Sequence, residues 1–210
     1  MKVTTEVTNF VRGIKSREHA IIFYDSEEAK RSILFPYLSD GLSKNKGVLY
    51  ICSDESPEQI QDGLNTYLTG GLDVHSEKVQ IKNYDQWYIR DGVVEPLKII
   101  DQRFEAHRFF EDRGLGLRVI GETSCFFRKG LVRDLLRYEY ALHKILNVEM
   151  DAICAYDLRT IVDTGYEDVI MPIIRAHGNA LFLAHGGSIV IEPEVVEDTD
   201  VEKLLDIKIH

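Results

Sequence analysis

Residues 20–42 read AIIFYDSEEAKRSILFPYLSDGL, a compact apolar run followed by an amphipathic segment, and a second apolar run, GVLYIC, follows at 47–52. A short apolar run predicts a buried strand, and apolar residues at helical spacing predict a helix. The alternation continues along the chain, with further strands predicted at 79–81, 117–120 and 152–156. Such strand–helix–strand repeats indicate an α/β fold with a mostly parallel central sheet and helices on both faces.

The C-terminal part of the chain has a different pattern. Apolar runs at 180–184 and 188–191 flank Gly186-Gly187, a pair suited to a tight hairpin turn. We therefore predict a C-terminal antiparallel hairpin at the end of the parallel sheet.

The chain is predicted to have three parts. These are an N-terminal arm at 1–17, one α/β domain at 18–192 and an acidic tail at 193–210, with a possible last strand at 207–209. The length of 210 residues suits one large α/β domain.

Charge and composition exclude several classes of function. The net charge of −10 disfavours direct binding to nucleic acid or to an anionic membrane. No stretch reaches the roughly 18 to 20 apolar residues that a membrane span needs. The three cysteines, Cys52, Cys125 and Cys154, are far apart and odd in number, which indicates neither a disulfide framework nor a zinc knuckle. We therefore predict a cytoplasmic protein.

The turn after the first predicted strand bears on nucleotide binding. A phosphate-binding loop needs glycines, so that backbone amides can surround the anion, followed by Lys and Ser or Thr. Residues 24–32 contain Lys30 and Ser32 but no glycine, and they include three acids. We therefore predict a helix capped at Ser26 in place of a nucleotide site, and no cofactor.

An acidic residue follows each of four predicted strands. Ligands of open parallel sheets bind beyond the carboxyl ends of the strands, where these residues are expected. Asp25, Asp54 and Asp157 are each either a helix cap or a ligand-binding residue. Glu122 is a weaker cap candidate and therefore a stronger ligand-binding candidate.

Glu139 lies within the apolar face of a helix predicted at 131–147, with His143 one turn further on. A buried carboxylate needs a partner. It either forms an ion pair with an arginine or lines a ligand pocket, and a metal shared with His143 is a third alternative that lacks a third ligand. The candidate arginine partners are Arg118, Arg128 and Arg175.

Two histidines and a group of aromatic residues leave alternatives open. His19, before the first strand, and His177, after a predicted helix, are either packing or capping residues or ligand-binding residues. Residues 83–92 are predicted to form a loop that contains Trp87 and Tyr88. This loop either packs over the end of the sheet or covers a ligand as a lid.

Several segments together resemble one known family. The chain resembles the MEDS family, sensory domains named for methanogens, methylotrophs and the regulator DcmR, over roughly residues 18–185. The family is similar to the RecA/KaiC ATPases but has a degraded nucleotide loop. The segments that support the resemblance are His19 with AIIFY, GVLYIC (47–52), GLRVIGE (116–122), RYE (137–139), AICAYD (152–157) and RAH (175–177).

The resemblance implies a non-catalytic sensory domain of RecA/KaiC-like fold. It implies a small-molecule ligand, with hydrocarbon derivatives as the candidate class. It also implies output to signalling or transcription through a regulatory protein partner or a homo-oligomer. The alternatives are an interaction module of a KaiC-like assembly and a divergent ATP-binding switch that uses Lys30 and Ser32. The family-like polar residues are His19, Tyr24, Arg118, Glu122, Glu139, Tyr156, Asp157 and His177.

We expect the ligand pocket at the carboxyl rim of the sheet. Tyr24, Glu122 and Tyr156 would form its floor, and the loop with Trp87 would lie above it. Asp25 is included because it directly follows the first strand.

Overall fold

A computed structural model describes residues 5–14, 19–68, 77–145, 148–175, 177, 179–184 and 187–191. Its strands are β1 His19–Tyr24, β2 Lys46–Cys52, β3 Val79–Asn83, β4 Gly116–Glu122, β5 Met150–Asp157, β6 Asn179–Ala184 and β7 Gly187–Ile191. Its α-helices are α1 Thr5–Gly13, α2 Glu27–Ser43, α3 Pro57–Tyr67, α4 Tyr84–Trp87, α5 Pro96–Glu111, α6 Ser124–Arg128, α7 Val132–Ile145, α8 Leu158–Asp163 and α9 Ile170–Arg175. A 3-10 helix at Glu167–Val169 precedes α9.

The seven strands form one sheet in the order β3-β2-β4-β5-β1-β6-β7. Every neighbouring pair is parallel except β6 and β7, in which Phe182 lies opposite Ile189 in an antiparallel register. The predicted fold class is therefore confirmed, including the C-terminal hairpin.

Each face of the sheet is covered by helices. Successive side chains of a strand point to opposite faces, so Ile22 of β1 packs with Leu34 of α2, while Ile21 packs with Leu135 of α7. We call these two sides the α2 face and the α7 face. Helices α1 and α3 also contribute to the α2 face, and α5, α6, α8 and α9 contribute to the α7 face. Two apolar cores thus lie on either side of the sheet.

The observed helix caps show which of the aspartates that follow the strands act as caps. Ser26 caps α2 with its side chain, as predicted, and Ser56 caps α3 in a capping box. Asp157 caps α8, so its capping role is confirmed. Asp25 and Asp54 do not cap α2 and α3, because a serine nearer to each helix start takes that position.

The region after β3 differs from its prediction as a loop. Tyr84–Trp87 form the short helix α4, and the side chain of Asn83 caps it. The long helix predicted from residue 93 begins at Pro96, because proline suits the first helical turn. Residues 193–210, with the possible last strand, lie outside the described residues. In the part of the chain that is described, no helix is both long and apolar enough to cross a membrane.

Candidate functional site

Two groups of buried or half-buried polar side chains lie on opposite faces of the sheet. We call the group on the α2 face, at the carboxyl ends of β1, β2 and β4, the Glu122 cluster, and its members are Tyr24, Lys30, Tyr50, Asp54 and Glu122. We call the group on the α7 face, beneath α7, the Glu139 cluster, and its members are His19, Glu139, Cys154, Tyr156 and His177.

Glu122 is 0% exposed, and each of its oxygens has two partners. Oε1 accepts a 2.6 Å hydrogen bond from the Tyr50 hydroxyl and lies 2.9 Å from Lys30 Nζ. Oε2 accepts hydrogen bonds from the backbone N–H groups of Ser53 at 2.7 Å and Asp54 at 2.8 Å. The buried charge of Glu122 is therefore both paired and hydrogen-bonded, which is the condition under which a buried carboxylate is tolerated.

Lys30 is the cation of this cluster and is itself 0% exposed. Its Nζ also lies 2.6 Å from Glu27 and 3.1 Å from Glu55. Burial alone would lower the pKa of Lys30, but the negative charges of Glu122 and Glu27 outweigh it and raise the pKa above its usual range. Lys30 is therefore charged, and its ammonium group lies close to the carboxyl groups of Glu122, Glu27 and Glu55.

Two of those carboxylates, Glu27 and Glu55, titrate in opposite directions. Burial and the hydrogen bond with Glu55 raise the pKa of Glu27 to about 7, although Lys30 opposes the shift. Burial would raise the pKa of Glu55 too, but hydrogen bonds with Arg31 and Glu27 and the charge of Lys30 lower it to about 2. The two residues are close enough to share one proton near neutral pH.

Asp54 connects the end of β2 to α6. It accepts hydrogen bonds from the Tyr24 hydroxyl, from Ser124 at 3.2 Å and from Arg128 at 2.9 Å. Arg128 also donates to the backbone carbonyl of Ser53 at 2.7 Å. The carboxyl rim above Glu122 is therefore closed by interactions within the protein.

Glu139 is 2% exposed, and its partners differ in kind from those of Glu122. The Tyr156 hydroxyl donates to Oε1 at 2.8 Å, and His177 Nε2 lies 3.3 Å from Oε2. His19 Nε2 lies 3.8 Å from the same Oε2, and the two imidazole ring centres are 4.6 Å apart. Burial would raise the pKa of Glu139, but the hydrogen bond with His177, the charges of both histidines and the bond from Tyr156 lower it overall.

Cys154 brings a thiol into the same cluster. Its Sγ lies 2.7 Å from His19 Nε2. Burial and the nearby charge of Glu139 raise the pKa of the Cys154 thiol well above its usual value, although Arg103 opposes them. Among the described residues, ligand atoms of His19, Glu139 and Cys154 lie within 4.8 Å of one another, a grouping able to hold a metal ion.

The predicted pocket floor of Tyr24, Glu122 and Tyr156 is not formed. In the parallel register of β1 and β5, Phe23 lies opposite Tyr156, and their rings are 5.2 Å apart on the α7 face. Tyr24, the next residue along β1, points to the α2 face with Glu122. The three side chains therefore cannot line one pocket, because the sheet separates them.

The expected ion pair between Glu139 and an arginine is also wrong for the two candidates whose partners are seen. Arg118 lies 2.9 Å from Asp40 and 3.2 Å from Asp151, near the amino end of β4, and Arg128 contacts Asp54. The side chain of Arg175 is exposed, and that of His143 lies outside the described residues.

Trp87 and Asp25 are not among the members that define the two clusters. Trp87 is 7% exposed and packs in the α7-face core, where it borders a surface groove that also includes Lys82 and Arg90. Asp25 is half-buried and accepts a hydrogen bond from Ser26. A role of Trp87 as a lid stays a prediction.

The sequence analysis did not include Cys154 among the candidate site residues. It considered Lys30 only for the alternative of a divergent ATP-binding switch. A signal for Cys154 was present in AICAYD, because a residue two positions before Tyr156 in a strand faces the same side. No signal in the turn itself connects Lys30 with Glu122, which is 92 residues further along the chain.

Solved structures from Pyrococcus horikoshii and Methanocaldococcus jannaschii have a similar fold. An uncharacterised protein from Pyrococcus horikoshii, in complex with an unknown peptide, has a TM-score of 0.63 at 15% identity, over 90% of this chain and 89% of that one. A second Pyrococcus horikoshii protein has a TM-score of 0.55 at 12% identity, over 92% and 94%. The flagellar accessory protein FlaH from Methanocaldococcus jannaschii has a TM-score of 0.54 at 12% identity, over 87% and 77%. At these identities the likeness shows the fold alone, and it is the RecA-like fold expected from the resemblance.

A search of curated proteins found no match. The family comparison matches residues 18–177 to MEDS, the methanogen/methylotroph, DcmR sensory domain. That match spans most of the chain and includes every strand from β1 to β5 as well as both polar clusters. The protein therefore belongs to the MEDS family of sensory domains.

Proposed function

We propose that the chain is a non-catalytic sensory domain that binds a small molecule and passes the signal on through a partner protein or a second copy of itself. Membership of a sensory-domain family supports the sensory role. The proposal that the domain is non-catalytic rests on the contact between Lys30 and Glu122.

The first βα turn opposes nucleotide binding. A phosphate loop surrounds its anion with backbone amides of a glycine-rich turn and adds a lysine. In this chain Ser26 caps α2, and the one lysine of the turn contacts Glu122, Glu27 and Glu55. A phosphate at this position would have to compete with three carboxylates for Lys30.

The position of Glu122 also opposes a catalytic metal. At the end of a central strand, an acid in an ATPase of this fold would act next to the bound magnesium. The oxygens of Glu122 already accept hydrogen bonds from Tyr50 and two backbone N–H groups, and Oε1 also forms an ion pair with Lys30. Coordination of magnesium there would require several of these contacts to break, and Mg²⁺ demands near-ideal geometry.

We place the ligand at the Glu139 cluster. Four of the ligand-binding residues expected from the sequence, His19, Glu139, Tyr156 and His177, converge there. Helix α7 brings Glu139 to the cluster, so a ligand that changes these contacts would shift α7 relative to the sheet. A change of this kind requires different affinities of the ligand for the two arrangements.

Thermal unfolding with and without excess Mg-ATP tests the non-catalytic part. A ligand at about 100 times its Kd adds about 2.7 kcal/mol of stability, which for a chain of this size raises the Tm by roughly 5 to 10 °C. We expect no shift and no ATP hydrolysis. A shift of that size would instead support the divergent ATP-binding switch.

A panel of small apolar and amine compounds tests the sensory part in the same assay. We expect at least one compound to raise the Tm of the wild-type chain and of a control with the exposed change Glu105→Gln, but not of Glu139→Gln. A compound that stabilises Glu139→Gln equally would rule out this location of the ligand.

A further inference from the structure

The ligand-type atoms of the Glu139 cluster come from elements that are distant in sequence. His19 is the first residue of β1, Glu139 lies on α7, and Cys154 lies in β5. His19 Nε2, a carboxylate oxygen of Glu139 and Cys154 Sγ lie within 4.8 Å of one another. Two strands and a helix therefore bring three different donor atoms close together.

The chemistry of these donors selects the class of metal. Imidazole nitrogen and thiolate sulfur bind zinc and similar divalent transition metals, whereas Mg²⁺ and Ca²⁺ prefer oxygen ligands. The set of one nitrogen, one sulfur and one oxygen is of the kind that Zn²⁺ accepts. A site with three protein ligands typically leaves a fourth position for water or another small molecule.

The charges of the ligands also suit a divalent ion. Glu139 contributes one negative charge, and Cys154 contributes a second when the metal displaces its thiol proton to solvent, while a neutral His19 contributes none. The ion and its ligands are then neutral together, which matters because Glu139 and Cys154 are buried and an unbalanced charge there is costly.

The two ring nitrogens of His177 hold the ring between a backbone carbonyl and Glu139. Its Nδ1 lies 2.7 Å from the backbone carbonyl of Ile173, which can only accept, so Nδ1 carries a proton. Its Nε2 faces Glu139 Oε2 at 3.3 Å. Because the Ile173 carbonyl holds Nδ1, the Nε2 edge of the ring stays against the carboxylate, and His177 is positioned to orient Glu139 as a ligand.

The movement that metal binding requires is small. On a tetrahedral zinc, with Zn–N at about 2.0 Å and Zn–S at about 2.3 Å, nitrogen and sulfur ligands are separated by about 3.5 Å. His19 Nε2 and Cys154 Sγ are 2.7 Å apart, so they would have to separate by about 1 Å.

We infer that His19, Glu139 and Cys154 bind a divalent transition metal of the zinc class, with His177 as the residue that positions the carboxylate ligand. The metal site itself follows from the geometry of the cluster. Its use in sensing, where the fourth position would take a donor atom of the sensed molecule, rests on the proposed function.

Cobalt titration of the purified full chain, stripped of metal with a chelator, tests the inference directly. Co²⁺ serves as the probe because it occupies zinc sites and absorbs light. We expect a thiolate-to-cobalt charge-transfer band that saturates at one cobalt per chain and is lost when Zn²⁺ is added. No charge-transfer band in the folded wild-type chain at excess cobalt would overturn the inference, independently of how any variant folds.

Three substitutions test the assignment of residues. Cys154→Ala should abolish the band, whereas Cys125→Ala, at a buried cysteine of the same core, should keep it. His177→Gln should keep the band but weaken cobalt affinity about 10- to 100-fold, as expected for loss of a group that orients a ligand. A band that persists in Cys154→Ala or disappears in Cys125→Ala would contradict the assignment.

The outcomes for the metal and for the sensory role are separable. A chain without the cobalt band that still responds to an organic compound through Glu139 would overturn the metal inference alone. A chain with the band but no response to any compound in the panel would support the metal site and count against the sensory role of the cluster.

Discussion

Glu122 and Glu139 are both buried carboxylates on the same sheet, but they differ in their partners. Glu122 accepts from a tyrosine and two backbone N–H groups and contacts Lys30, a permanent cation. Glu139 accepts from Tyr156 and otherwise faces two histidines, with a thiol close by. The first is a closed ion pair, and the second contains groups that exchange protons or bind metals.

The two clusters therefore differ in how available their groups are to a ligand. The Glu122 cluster lies at the carboxyl rim, where sheets of this kind usually bind ligands, and its groups are occupied with one another. The Glu139 cluster lies beneath α7 near the amino end of β1, and its donor atoms are suited to a ligand. We therefore propose that the cluster at the usual ligand position of this fold is structural and that the other cluster binds the ligand.

The largest effect is expected from Lys30→Met. This change leaves the charge of Glu122 buried with hydrogen bonds but without its cation, and loss of one partner of a buried pair typically costs about 3–5 kcal/mol. Because Tyr50 and two N–H groups remain, we expect a loss of about 3 kcal/mol in the free energy of unfolding, measured by urea denaturation.

The control is Lys98→Met, at an exposed lysine of α5, for which a change within about 0.5 kcal/mol is expected. If Lys30→Met cost no more than this control, Lys30 would be a lysine kept available for a ligand, and the two clusters would not differ in the way proposed.

A matched pair of tyrosine substitutions is expected to have a smaller effect. Tyr50→Phe removes one donor from Glu122, which keeps three other partners, so we expect a loss of about 1 kcal/mol. Tyr156→Phe removes the hydroxyl donor of Glu139, and hydrogen bonds to charged groups are worth about 1.5–3 kcal/mol, so we expect about 2 kcal/mol. Chemical denaturation of both variants compares them. A larger loss of stability for Tyr50→Phe than for Tyr156→Phe would mean that the carboxylate of Glu139 depends less on its tyrosine than that of Glu122.

The smallest effect concerns the pH dependence of stability. The pKa of Glu27 is about 7 in the folded chain against an ordinary value of 4.5, so the folded state holds this proton more tightly. The stability that the proton contributes is present below about pH 4.5 and is lost as the pH rises to about 7. Glu55, with a folded pKa of about 2, acts in the opposite sense as the pH falls below 4.5.

Glu27→Gln should therefore flatten the fall in Tm between pH 4.5 and 7 relative to the wild-type chain. The effect is modest, because the Glu27 side chain is partly exposed. Differential scanning calorimetry across this range measures it, and the histidines cancel in the difference between the two proteins. An identical slope in both would show that Glu27 is ionised throughout.

The fold was largely predictable because its signals are local. Apolar runs such as AIIFY and GVLYIC are strands of the sheet, and the hairpin of β6 and β7 follows from its flanking runs. The order of strands depended on the family resemblance, since periodicity does not specify which strands are neighbours.

The candidate site was predictable only in part. The burial of Glu139 follows from its place in the apolar face of α7. Its partners do not, because His19, Cys154 and His177 meet it only through the pairing of β1 with β5 and β6. A shift of one residue in a strand moves a side chain to the other face, which is why Tyr24 and Tyr156 were wrongly expected to share a floor.

The most direct test of the contrast between the clusters is a parallel measurement on Glu122→Gln and Glu139→Gln. Urea unfolding and cobalt titration are carried out on both. We expect Glu122→Gln to lose about 3 kcal/mol of stability and to keep the thiolate-to-cobalt band. We expect Glu139→Gln to lose only about 1 kcal/mol and to bind cobalt much more weakly. Equal losses of stability, or cobalt binding that depends on Glu122 and not on Glu139, would contradict the account.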